Sequence, residues 1–163
     1  MDRYYYPESD MHVTVLSIIS CYPDFSLSGI NVSEYSQLIG KVLRQTMPFS
    51  IIFEGLTAAS DCIMVRGFPE SNTLNSIRSQ VRKTFKKSAL QHSIDKRYRI
   101  HTAHSTILRF KQEISAPSAF IEKIKALKTR AFGTCTVDEL EFVANDWYHR
   151  KQNVKLIDKF KLK

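Results

Sequence analysis

The sequence predicts a mixed α+β fold built from two related halves. Three observations lead to that class. Short apolar runs that read as strands alternate with three segments of helical periodicity; the tripeptide His-x-Thr occurs twice inside such runs; and each copy is followed by a helix and then a strand. With 163 residues the chain can bury one sizeable core, or two small lobes that share one. We read 1–163 as a single domain, with lobes at about 11–56 together with the C-terminal strand, and at about 62–143.

Local chemistry sets the elements in order. The apolar run from Met11 to Ile19 reads as the first strand, followed by loop residues Cys21-Tyr22-Pro23-Asp24 and Ser28-Gly29. Tyr35, Leu38, Ile39, Val42 and Leu43 recur at helical spacing over 33–45, with Asn31 or Ser33 as N-cap and Pro48 just beyond the end. Strands at 49–56 and 62–68 flank the small polar stretch 57–61. A second helix, 72–88, begins near Ser71 or Asn72; Leu74, Ile77, Val81 and Phe85 mark its buried stripe and leave its basic residues outside. The polar, basic segment 91–100 is an irregular lead-in to a strand at 102–110. Pro117 opens a third helix, 117–129, where its missing N–H costs nothing. Strands near 132–143 and 154–162 finish the chain. Only about ten residues precede His12, so the first half lacks an opening strand and helix. Either the strand at 154–162 fills that sheet position or the sequence starts inside a longer protein.

Composition bounds the class of partner. Lys and Arg number 24 against 16 Asp and Glu, a net charge of +8 that favours polyanions such as RNA. Arg78, Arg82, Lys83, Lys86 and Lys87 crowd the second helix, and Lys96, Arg97 and Arg99 follow it. Such a face is ordinarily solvated surface, and the functional alternative is guidance of a phosphate backbone. Cys21, Cys62 and Cys135 lack Cys-x-x-Cys spacing, which argues against a disulfide framework or a zinc site; we read them as buried or half-buried thiols. No apolar run approaches the roughly 18 residues of a membrane span, and no secretory pattern opens the chain. The expectation is a cytoplasmic monomer with no membrane partner.

The chemistry rests on Met11-His12-Val13-Thr14-Val15-Leu16 and Ala103-His104-Ser105-Thr106-Ile107-Leu108. Side chains alternate along a strand, so His and Thr two apart share a face. The other histidines, His92, His101 and His149, have neither a hydroxyl at plus two nor an apolar strand running on. A lone histidine in an apolar strand is ordinarily a satisfied core residue. Two copies, each with a hydroxyl alongside, favour a site instead. Two imidazoles and two hydroxyls facing one another suffice for acid–base chemistry on a phosphate ester.

Paired His-x-Thr motifs about 92 positions apart in a small chain of near-duplicate halves resemble the two-histidine (2H) phosphoesterase superfamily, which includes 2′,5′-RNA ligase-like and cyclic nucleotide phosphodiesterase proteins. The resemblance implies a bilobal, pseudo-twofold fold in which two antiparallel sheets, backed by helices, flank a central cleft. It implies metal-free chemistry with no cofactor on 2′,3′-cyclic phosphates or on 2′–5′ and 3′–5′ linkages of RNA, oligonucleotides or cyclic nucleotides. His12 and His104 would then be acid and base, and Thr14 and Thr106 would hold the non-bridging oxygens. The N-terminus is shorter than in many members.

Further candidates are weaker. Tyr5 and Tyr6, beside Tyr4, are placed to stack on a base or to anchor the N-terminal arm. Tyr98 and Arg99 lie where a lead-in loop closes over a substrate. Arg109, at plus five from His104, falls on the opposite face unless a bulge intervenes; Arg66 is ambiguous; His101 is turned away. The competing reading is a non-catalytic RNA-binding module that uses the basic helix 78–87.

Overall fold

A computed structural model describes residues 3–20, 25–112 and 117–163. The expected loop at 21–24, with Cys21, lies outside the described residues. In order, the elements are β1 (Arg3–Tyr5), α1 (Val32–Leu43), β2 (Phe49–Ala58), β3 (Cys62–Pro69), α2 (Thr73–Lys87), β4 (Ala103–Phe110), α3 (Pro117–Ala126), β5 (Ala131–Val137), β6 (Glu139–Ala144) and β7 (Lys155–Lys161). The class is mixed α+β, as expected. Three elements differ from expectation. A strand, β1, opens the described residues where none was expected, residues 11–20 form no strand, and the strand expected at 132–143 is two, parted at Asp138.

The described residues group into two compact units, one from 1–14, 50–70 and 102–135, the other from 15–49, 71–101 and 136–163. They cut across the lobes at 11–56 and 62–143, because β2 and β3 form a single hairpin and stay together. The first unit holds a five-stranded sheet in the order β1-β4-β3-β2-β5, antiparallel from β1 through β2. α3 packs on it through Phe120, whose ring meets Phe110 edge to face at 5.4 Å.

The second unit holds α1, α2 and the β6–β7 ribbon. Its core is the meeting of two helical stripes, Tyr35, Ile39 and Leu43 of α1 with Leu74, Ile77, Val81 and Phe85 of α2, all buried. The Tyr35 and Phe85 rings lie 5.7 Å apart, and the Tyr35 hydroxyl donates to Gln91 O at 2.7 Å.

Arg78 corrects the reading of α2. Four residues after Leu74 it falls on the buried stripe, and it is only 1% exposed. Its Nε donates to Val15 O at 2.8 Å and its Nη1 to His101 O at 3.2 Å. Ser93, also buried, does similar work: its N–H donates to Ile18 O at 2.8 Å, and its Oγ accepts from Ser20 N–H at 2.8 Å. These contacts explain why 15–20 is half-buried without a sheet ladder. Val15 O and the Ser20 backbone are met by side chains, and Ile18 O by a backbone N–H, instead of by a neighbouring strand.

Arg82 is likewise engaged. It grips Asp95 through Nε at 2.7 Å and Nη2 at 3.1 Å, and also donates to Ile100 O at 3.1 Å. The basic helix 78–87 thus presents Lys83, Lys86 and Lys87 to solvent, while both of its arginines hold the 93–101 segment. Replacing Arg78 by Ala removes a guanidinium and leaves two carbonyls without their donor. The expected loss is roughly 3–5 kcal/mol of unfolding free energy, read from urea denaturation midpoints.

Candidate active site

Register sorts the side chains of the five-stranded sheet. β3 and β4 pair Gly67 with Ala103, Val65 with Ser105 and Ile63 with Leu108 on one face, and Arg66 with His104, Met64 with Thr106 and Cys62 with Arg109 on the other. The first of these faces is core, with Ala103, Val65 and Leu108 buried. On the second, His104 and Thr106 are half-buried, side by side, as strand parity expects.

The pairing slips between Ile63 and Met64, so that Ile107 is an extra residue on β4. A one-residue bulge reverses parity beyond it. Arg109 therefore lies on the face of His104 and Thr106. Nothing in the sequence of the strand announces the bulge. Arg109 is held by Asp61, and its Nε donates to the Tyr6 hydroxyl at 3.1 Å.

The first motif is anchored through β1. Tyr4 pairs with Arg109 and so shares its face. Its hydroxyl donates to Asp10 Oδ2 at 2.8 Å, and Ser9 Oγ donates to Asp10 Oδ1 at 2.9 Å. Asp10 is buried at the end of a single 3-10 turn, Glu8–Asp10, and its carbonyl lies 2.8 Å from His12 Nδ1. A carbonyl only accepts, so Nδ1 of the neutral ring carries the proton and Nε2 is the basic nitrogen. His104 is held differently. Its Nδ1 is 3.0 Å from Thr102 Oγ1, a hydroxyl that donates or accepts, so either tautomer is accommodated. All four motif residues belong to the first unit.

Arg66, across from His104, has a built seat. Its Nη2 donates to Lys128 O at 2.7 Å, its guanidinium lies 5.2 Å from the centre of the Phe68 ring, and its buried Nε has no hydrogen-bond partner among the described residues. β2 makes room by a bulge at Gly55, where φ is +73° and a Cβ would stand 2.0 Å from Lys128 O and 2.7 Å from Arg66 Nη2. Cys62 shares this face. Burial first, then the neighbouring Asp61 carboxylate, pushes its thiol up to about 11, so it stays protonated and is no nucleophile at neutral pH. Cys135 is exposed, contrary to the reading of a buried thiol.

The secondary candidates scatter. Tyr5 pairs with Leu108 and points to the opposite face, 64% exposed. Tyr6 is buried against Tyr4, ring centres 5.0 Å apart. Tyr98 and Arg99 are exposed in the second unit, Arg99 Nε lying 3.7 Å from Asp95 Oδ2. Sequence reasoning misses the parts played by Tyr4 and Asp10. The signal for Asp10 is its place two residues before a motif histidine, where a backbone carbonyl meets the ring. Among the described residues no cluster of three or more His, Cys, Asp or Glu is disposed to hold a metal ion, and no helix is long and apolar enough to cross a membrane.

The solved structure of TT0787 of Thermus thermophilus matches this chain with a TM-score of 0.68, over 98% of this chain and 82% of that one, at 15% sequence identity. The two chains share a fold. No family model and no curated protein matches the sequence.

Gly55→Ala tests the seat of Arg66. The strained φ and the clash with Lys128 O are expected to cost about 2 kcal/mol or more of stability, measured as a shifted denaturation midpoint.

Proposed function

We propose that the chain is a metal-independent phosphodiesterase acting on 2′,3′-cyclic phosphate ends, or on 2′–5′ or 3′–5′ linkages, of RNA or nucleotides. One observation carries the reading: His104 and Thr106 stand together on a half-open sheet face, in the same unit that fixes the His12 ring by its Nδ1.

The roles follow from the hydrogen bonds. The Asp10 carbonyl commits His12 Nε2 to accepting a proton, which suits it to take one from the attacking water. Oxygen of that water bonds to phosphorus while the bond to the ribose 2′ or 3′ oxygen breaks. His104, as imidazolium, gives its proton to the departing oxygen, and Thr102 accommodates either ring state. Thr14 and Thr106 donate to the non-bridging oxygens, where charge gathers in the five-coordinate transition state, without competing for protons. Solvent exchange restores both rings. In the reverse, joining direction the two histidines exchange roles.

The competing reading, RNA binding through the basic helix, loses two of its five cations, because Arg78 and Arg82 are spent on the 93–101 segment and Val15.

The purified chain in excess chelator is expected to open a nucleoside 2′,3′-cyclic phosphate to a monophosphate. His12→Ala and His104→Ala should each lower kcat at least about 100-fold, and Thr106→Val about 100-fold, with circular dichroism unchanged. Full activity in either histidine variant overturns the mechanism.

A further inference from the structure

The second unit carries a constellation that uses none of the four motif residues. It joins the loop 91–101 to the turn 145–153. Asp146 organises the turn. Its Oδ1 accepts from Arg150 N–H at 3.0 Å, and its Oδ2 accepts from Arg150 Nε at 2.7 Å and from Asn153 Nδ2 at 2.7 Å. His149, at φ 55°, donates its N–H to Asp146 O at 3.0 Å. Burial works against the charge, yet the bonds from Asn153 and Arg150 hold the Asp146 carboxyl down at about 2, so the turn stays tied at working pH.

What the turn projects is aromatic. Trp147 is 54% exposed, with the Arg97 guanidinium 5.0 Å from its ring centre; Tyr148 follows, with Arg150 at 5.5 Å. The loop that supplies Arg97 is itself pinned, by Arg82 on Asp95 and Ile100 and by Arg78 on His101. Lys96, Arg97, Arg99, Arg150 and Lys151 gather on these two segments, whereas their acids, Asp95 and Asp146, are already paired with arginine. The result is a pre-set indole beside guanidinium groups on a positive surface.

We propose that this Arg97–Trp147 platform binds single-stranded nucleic acid, one base stacking on the indole while Arg97 and Arg150 meet the adjoining phosphates. The chemistry selects that ligand. An unpaired base offers a π face and a phosphate a few ångströms apart, which answers both halves of an arginine–aromatic pair. A duplex hides its base faces, and an acidic peptide uses the cations but leaves the indole in water. The proposal stands independently of the two-histidine chemistry.

Trp147 is the single tryptophan of the chain, so its fluorescence reports the event directly. Titration of the full chain with a uridine decamer at low salt is expected to quench that emission in a saturable way, with affinity falling as salt rises. By anisotropy of a labelled decamer, Trp147→Ala and Arg97→Gln should each weaken binding about ten-fold, and Trp147→Phe, which keeps a ring, clearly less. Both residues being exposed, the variants should keep the parent melting curve. Were Trp147→Ala to fail to fold, Arg97→Gln with the parent's quenching decides. Absence of quenching, affinity unchanged in Arg97→Gln, or equal binding of the matching duplex, polyglutamate or anionic vesicles overturns the proposal. So does loss of quenching in His12→Ala, which would place the oligomer at the motif face.

Discussion

One buried cation organises the second unit. Among the described residues Arg78 is the largest fully buried side chain, and it donates to two backbone carbonyls. Val15 follows Thr14 directly, and His101 lies three residues before His104, so the guanidinium fixes the chain where it leaves one motif and approaches the other. A carbonyl in an irregular segment has no ladder to satisfy it, and burying it without a donor costs more than the bond itself returns. Arginine suits the task because its planar fork reaches two acceptors at once and stays charged at any working pH. Burial, and then the nearby charge of Arg82, lowers its pKa.

The candidate site depends on two departures from regular pairing. The extra residue at Ile107 brings Arg109 to the side of His104 and Thr106, and the bulge at Gly55 opens the space through which Arg66 reaches Lys128. The face that carries the motif thus holds two guanidinium groups, Arg109 brought there by the bulge at Ile107 and Arg66 by regular register, and each already has protein partners that hold it. Tyr4 and Tyr6 pack ring to ring beside the same face, and Tyr4 seats Asp10 and through it the ring of His12. The imidazoles are thus anchored in unequal ways, one to an acceptor and one to a hydroxyl, although their motifs match in sequence.

Charge composition is informative about class of partner and silent about place. The cations that read as a basic helix divide between interior and surface: Arg78 and Arg82 are structural, and Lys83, Lys86 and Lys87 face water. Exposed cations gather instead around Trp147, on two segments that read in the sequence only as polar connections. Arg82 and Arg78 hold the loop from the distant helix α2, whereas Asp146 ties the turn within itself through Arg150 and Asn153.

By itself the sequence determined the periodic features. The three helices, the hairpin strands β2 and β3, the motif strand β4, the start of α3 at Pro117 and the pairing of His104 with Thr106 on one face all follow from spacing, caps and parity within a few residues. Those signals are local, so they survive without knowledge of neighbours. Only the tertiary structure decided that the run from Met11 to Ile19 is not a strand, that β5 and β6 part at Asp138, that Arg78 is interior and that Arg109 faces the motif. Each of these turns on which group satisfies a backbone carbonyl or absorbs an extra residue in a ladder. Such partners are set by long-range packing, which no short stretch of sequence records.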